Sequence, residues 1–519
     1  MTPFSRRYLL LALVACACAS AASCNGSSST SNTPAIEPRK HPAAPSGEFD
    51  AFLGAADAAE ATTDELKRCL AYPDPPLSHW SHATVVAYCQ YLFQPVISIS
   101  EIRDLVGHGH AKELDQRLAD VLRTQASETN APNRIDRIYS QDFGDAPDSL
   151  RPMLDSWKQQ SPNSAFAFAA SGTAYVAAAA RARGGDYIEQ TPQHKIDAMS
   201  KLVNQARSEL EKAASIDPKL TPAYIGMIEL GGEDLGIAYA LGAAKRGLAV
   251  DPSSYPIHDE LRWLAQPKWG GSFEAMQGVV SRAQAYSRDH PLLLLLRAEP
   301  LALAQGLDEC GCHAGDVVDF ASVFEQPARS GLFVGAGVYF TSRHSYGPAA
   351  IYFAEASRFG QSTPKDVSAR IKALVQLNQL KFALGLANHR LAESPKDEQL
   401  LELRAEVYSH MNDPANVEKD MLTILSVTKD DLWALTSLAH QYVEMTHEWD
   451  KGWAITDRLI KEYPAKSEGW MLRGEIQANQ PRPGLRETVD FYQAHFGSDP
   501  DEQANLSQLK YWLDHGARK

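Results

Sequence analysis

A chain of 519 residues with 44% apolar content is too long for one compact core and too hydrophobic to be globally disordered. Several domains or one elongated array are therefore expected. A formal charge of −14 argues against nucleic acid, whose binders gather positive charge on one face, and against an electrostatic grip on anionic lipid headgroups.

The first 23 residues carry Arg6 and Arg7 and no acid, followed by the apolar run 8–15. That run is too short to span a bilayer, and small residues follow it, as in an export signal. Leu13-Val14-Ala15-Cys16 resembles the bacterial lipobox, in which cleavage precedes a cysteine whose thiol carries diacylglycerol. Ala21-Ala22-Ser23-Cys24 is the alternative site. Ser5-Arg6-Arg7-Tyr8-Leu9 also resembles a twin-arginine signal. Loss of Arg6 and Arg7 with the leader would take the formal charge from −14 to −16. Neither Ala17 nor Asn25, which follow the two cysteines, is the aspartate associated with inner-membrane retention. Export to the periplasmic face of a membrane, with the outer membrane favoured, is the expectation.

Residues 24–48 are Ser-, Asn- and Pro-rich without apolar periodicity and read as a disordered tether between lipid and body. Helical signals then run from residue 49 to the end, and strand signals are nearly absent, which predicts an all-α fold. Residues 49–290 read as an N-terminal helical domain, 291–345 as a connector, and 346–519 as C-terminal repeats. Leucines 292–296 stop at Arg297 and are expected to be a buried helical segment rather than a membrane span.

Helix starts are expected where hydroxyl or Asp meets Pro. Thr363-Pro364-Lys365-Asp366 and Ser394-Pro395-Lys396-Asp397 lie 31 residues apart, and Asp217-Pro218 and Asp251-Pro252 lie 34 apart. Apolar residues then recur at helical steps, as in Leu400, Leu403, Val407, Met411 and in Leu435, Leu438, Tyr442, Met445. A period near 34 with helix–turn–helix units is the tetratricopeptide signature, and the Leu210–Pro218 and Leu459–Pro464 junctions resemble that family. The expected architecture is an α-solenoid of tetratricopeptide-like hairpins, each unit covering its neighbour's apolar face.

A more specific resemblance runs through Leu114-Asp115-Gln116-Arg117-Leu118, Trp157-Lys158-Gln159-Gln160-Ser161-Pro162-Asn163-Ser164 and Ala182-Arg183-Gly184-Gly185. It continues in Leu248-Ala249-Val250-Asp251-Pro252 and Pro267-Lys268-Trp269-Gly270-Gly271-Ser272. In order and spacing these are similar to the bacterial family known as domain of unknown function 4034. The resemblance implies a helical-repeat fold and carries no activity. The family's aromatic before Arg-Gly-Gly is replaced here by the alanines 177–180. Trp269 is expected to plug a seam between hairpins, with Gly270 and Gly271 turning the chain and Ser272 capping the next helix.

Chemistry-bearing motifs are few. Outside the leader the cysteines are Cys69, Cys89, Cys310 and Cys312, for which an oxidising compartment allows three pairings. The sequence-local choice is Cys69–Cys89 with Cys310–Cys312. Cys310-Gly311-Cys312-His313 reads first as a structural disulfide in a surface loop. The alternative is a thiol-redox or metal enzyme centred on Cys310 and Cys312, with His344 as a remote further ligand. His79 and His82 would share a helix face, and His108 and His110 share a loop; solvated histidines are the simpler reading. Lys451 stands where a zinc-protease helix beginning at His447-Glu448 needs its second His. Gly335-Ala336-Gly337 lacks the third glycine of a phosphate cradle and suits close helix packing. Trp433, Trp453 and Trp470 are expected in the repeat core rather than as groove anchors. The sequence therefore points to a non-enzymatic scaffold for a protein or peptide, touching membrane only through its lipid, with no cofactor, catalytic residue or metal and no nucleic acid.

Overall fold

A computed structural model of the chain describes residues 46–76, 78–125, 133–185, 190–307, 318–360 and 362–516. Cys16, Cys24, the 24–45 stretch of the expected tether, and Cys310, Cys312 and His313 lie outside them. Among the described residues there are helices and no strand, and no helix is long and apolar enough to cross a membrane. The fold is all-α, built from helical hairpins. Two compact units form, one from residues up to 343 with 351–362, the other from 344–350 with 363–519. Within the expected connector, 291–345, the chain forms the helices Pro291–Arg297, Ala298–Ala304, Phe320–Val323 and Ser330–Ser342, and residues up to 343 belong to the first unit.

In the second unit the first helix of each hairpin is plain from its start. Pro364–Gln376, Glu398–His410, Leu432–His440, Ser467–Asn479 and Gln503–His515 begin 34, 34, 35 and 36 residues apart. The intervening second helices are Leu380–Glu393, Pro414–Val427, Trp449–Glu462 and Leu485–Phe496. Local chemistry sets these starts. Thr363 Oγ1 accepts from the Asp366 amide while Asp366 returns the bond to the Thr363 amide, a reciprocal cap with Pro364 in the first turn. Asp397, Asp413 and Asp431 each accept from the amide three residues on, at 3.0, 3.2 and 2.7 Å.

The recurrence of 31 read from Ser394-Pro395 is corrected to 34. Ser394 is the C-cap of Leu380–Glu393, and the next helix starts after Asp397, not after Ser394. The same holds at Asp217-Pro218 and Asp251-Pro252. Each Asp closes the helix before it, then its carboxylate accepts from an amide two residues on, from Lys219 and Ser253, both at 2.9 Å. The following helices begin at Thr221 and Tyr255. An Asp folding back on the next turn competes with its use as a helix cap, and here the turn wins.

The first unit has a core of Trp157, Phe143, Tyr139, Leu114, Leu154 and Leu210, all 2% exposed or less, packed around the alanine-rich helix Ala165–Arg183. A second cluster joins Trp80, Phe324, Phe333 and Phe359, with Nε1 of Trp80 donating to the Phe324 carbonyl at 2.8 Å. Leu292, Leu293, Leu295 and Leu296 are buried, in a 3₁₀ helix that runs on into Ala298–Ala304. Gly335 and Gly337 are buried within Ser330–Ser342, and a Cβ on Gly337 would lie 2.7 Å from the Phe353 ring.

Candidate interaction surface

The sequence-selected residues occupy several separate places. Cys69 and Cys89 form a disulfide, with Cα atoms 5.7 Å apart and both residues fully buried between Glu65–Ala71 and His82–Phe93. His79 precedes the helix that begins at His82, so the two imidazoles do not share a helix face. His108 and His110 each meet one surface carboxylate, Asp104 at 3.2 Å and Glu113 at 3.4 Å. No group of three or more metal-binding side chains assembles among the described residues.

Around Trp269 the geometry is that of a tight turn. Gly270 has φ of +83°, and a Cβ on Gly271 would fall 2.1 Å from the Ala265 carbonyl oxygen. Ser272 Oγ accepts from the Ala275 amide at 3.1 Å, starting Phe273–Gln284. Trp269 itself is only half-buried and packs on Trp263 of the preceding helix, ring centroids 4.6 Å apart. The turn closes on Gln266, whose carbonyl accepts from the amides of Trp269 and Gly271. The side chain of Gln266 reaches Glu299 at 3.0 Å. Glu299 and Asp259 in turn flank the fully buried Arg262, at 2.7 and 2.5 Å. Burial pushes the Asp259 carboxyl up, but the fields of Arg262 and Arg329 outweigh it and hold it below the ordinary value.

The three tryptophans divide. Trp453 meets the guanidinium of Arg473, 3.6 Å from the ring centroid, and that of Arg482 at 4.7 Å. Trp470 stacks on Phe491 at 3.8 Å. Trp433 is 42% exposed and does not belong to the core. Met411 and Met445, expected on buried stripes, are likewise exposed; Met411 is the C-cap of Glu398–His410 and Met445 is the last residue of Gln441–Met445.

What the motif reading missed is the face made by successive first helices in the second unit. Lys372, Glu406, His440 and Glu475 stand 34, 34 and 35 residues apart, at matching positions of four hairpins. Neighbouring repeats meet there. His440 bonds through Nδ1 to Glu444 at 3.0 Å and through Nε2 to Glu468 of the next first helix at 2.9 Å. The hydrogen bond to Glu468 leads in pushing the His440 pKa up to about 9, against burial and with help from Glu444. Glu468 is correspondingly lowered, chiefly by His440. Glu402 is raised by burial and by Asp431 and Glu398, against the pull of Lys372. Glu475 is raised by burial and by Glu444. After His440 the first helix widens into a π turn, Gln441–Met445, and a similar turn, Gly231–Leu235, follows the helix Thr221–Leu230 in the other unit. The missed signal is an ionisable residue recurring at the repeat period, which a search for local motifs does not register.

No protein-family model matches the chain, and no curated protein matches it. Among solved structures it is similar to yeast Tom70, at 10% identity, covering 90% of this chain and 96% of that one with a TM-score of 0.31. It is also similar to Cut9 with Hcn1 from the APC/C hetero-tetramer, at 15% identity, 76% and 68% coverage and a TM-score of 0.26. A third similar structure is the TPR domain of P58(IPK), at 14% identity, 62% and 96% coverage and a TM-score of 0.21. The hairpin architecture is read from the chain's own 34-residue recurrence.

Proposed function

We propose that this chain is an exported, lipid-anchored, non-enzymatic scaffold that holds a protein or peptide on the first-helix face of its second unit. The observation that carries the reading is the recurrence of Lys372, Glu406, His440 and Glu475 at the repeat period, since repeat arrays bind through surfaces built from matching positions. Glu402, Glu444 and Glu468 make the face predominantly acidic, so the complementary partner surface carries Lys or Arg. The lipobox-like residues before Cys16, or before Cys24, support attachment at the periplasmic side of a membrane, with the outer membrane favoured. The family reading as domain of unknown function 4034 fits such a scaffold.

A photo-crosslinking amino acid placed at 406 or 444 in the full lipidated chain should trap one and the same partner. The same probe at the exposed second-helix positions 419 and 461 should not. Equal trapping from both faces would sink the surface assignment. Cys16→Ser with Cys24→Ser should abolish palmitate incorporation and membrane association, and normal labelling of that variant would sink the anchor.

A further inference from the structure

A pocket of 530 Å³ opens in the first unit, between the chain at 146–154, the helix Ala165–Arg183 and Leu202 of the helix Gln193–Ile216. Its volume lies in the range of small-molecule sites, about 300–1,000 Å³. Ala174, Ala178 and Ala182 line it at successive helical turns, with Leu150, Leu154 and Leu202 completing an apolar floor. Small side chains at that spacing leave room where larger ones would fill the groove.

Two guanidinium groups stand at this floor. Arg151 lies 3.6 Å above the centroid of the Tyr175 ring and donates through Nη1 to the buried Ser171 hydroxyl at 2.7 Å. Among the described residues no carboxylate pairs with it. Stacking and the Ser171 bond hold the group in place without neutralising it. Arg181 gives Nη2 to Asp148 at 2.7 Å, but that carboxylate is 87% exposed, and such a pair is worth little. Nη1 of Arg181 is buried and has no hydrogen-bond partner among the described residues. A buried charged donor without an acceptor is costly, and a small rotation of the partly exposed Arg181 side chain that lets this group meet an anion in the pocket offsets that cost.

The charge balance selects the ligand. Arg151, Arg181 and Asp148 are the charged residues of the lining, and together they leave one positive charge. A monoanion closes that balance, whereas a phosphate dianion overshoots it. The planar guanidinium fork matches a carboxylate, and the alanine and leucine floor accepts an aliphatic body. We propose that this pocket is a binding site for a small organic monocarboxylate with an aliphatic chain, held by Arg151 and Arg181.

Octanoate titrated calorimetrically into the full chain tests the site. One octanoate should bind per chain. Acetate, which lacks the body, and octan-1-ol, which lacks the charge, should each bind about tenfold or more weaker. Arg181→Gln removes the unpartnered donor from a partly exposed side chain, and Ala178→Leu fills the floor while keeping both arginines. Each should weaken octanoate by about tenfold or more, with circular dichroism showing parent-like folding. Asp148→Asn should tighten octanoate, because it leaves the pocket with a second net positive charge. Unchanged affinity in folded Arg181→Gln, no binding of octanoate to the parent, or inorganic phosphate bound more tightly than octanoate would each overturn the proposal.

Discussion

Nε of Arg358 donates a hydrogen bond to the main-chain oxygen of Cys69, 3.0 Å away and 289 positions earlier in the chain. The same guanidinium reaches the Pro73 carbonyl at 3.2 Å, Asp74 at 2.8 Å and Glu355 at 3.3 Å, so one side chain ties the disulfide-bearing segment to residues 351–362. Arg358 is 2% exposed and Glu355 not at all. Breaking a buried ion pair from one side leaves charge in a low dielectric and typically costs about 3–5 kcal/mol. Arg358→Met should lower the thermal midpoint by many degrees, and Arg358→Met with Glu355→Gln should recover part of that loss. A single variant that melts with the parent would refute the clip.

Asp142 should make the chain less stable as pH rises from the ordinary carboxyl value to about 7. Burial lifts its pKa to about 7, partly offset by the Ile99 amide and by Arg137, and its Oδ2 has no hydrogen-bond partner among the described residues. Between the ordinary carboxyl value and about 7 the folded chain holds a proton that the unfolded chain has lost. Its contribution to stability therefore falls as pH rises through that window. Asp142→Asn should raise the thermal midpoint by a few degrees at pH 8 and leave it nearly unchanged at pH 4. An equal shift at both would show that the charge is not the cause.

His440 works in the opposite sense. Its folded pKa of about 9 stands above the ordinary 6.5, so its bridge to Glu444 and Glu468 contributes fully below 6.5 and is lost as pH rises through about 9. On the acid side the contribution ends where Glu468 takes up a proton, below its ordinary value. His440→Gln should destabilise the chain modestly at pH 6 and match the parent near pH 10. NMR titration of the imidazole giving an ordinary histidine pKa would refute the bridge.

The two glycines after Trp269 are unequal. Gly270 adopts φ of +83° with open space around it, so Gly270→Ala should cost only the left-handed backbone penalty, about 1–2 kcal/mol. Gly271→Ala drives a methyl into the Ala265 carbonyl and should cost more. Trp269→Ala should fall below the roughly 3–5 kcal/mol of a fully buried tryptophan, because the ring is half-exposed. Urea unfolding of the three variants checks the order, and a Gly270→Ala loss larger than that of Gly271→Ala would overturn it.

Helical class, the 34-residue recurrence and the caps at Thr363 and Ser272 are legible in the sequence, because a helix start is decided by side chains and amides within four positions of each other. The same locality explains the misreadings at Ser394, Asp217 and Asp251. A hydroxyl or carboxylate before proline serves a turn as well as a cap, and the choice depends on where the preceding helix ends. Cys69 and Cys89 are each other's nearest cysteine in the chain, so their bond needs no knowledge of the fold. The contacts of Arg358 with Cys69, of Arg262 with Glu299 and of His440 with Glu468 join separate helices. Only packing decides them, since the energy of a charge depends on what surrounds it and not on its place in the chain.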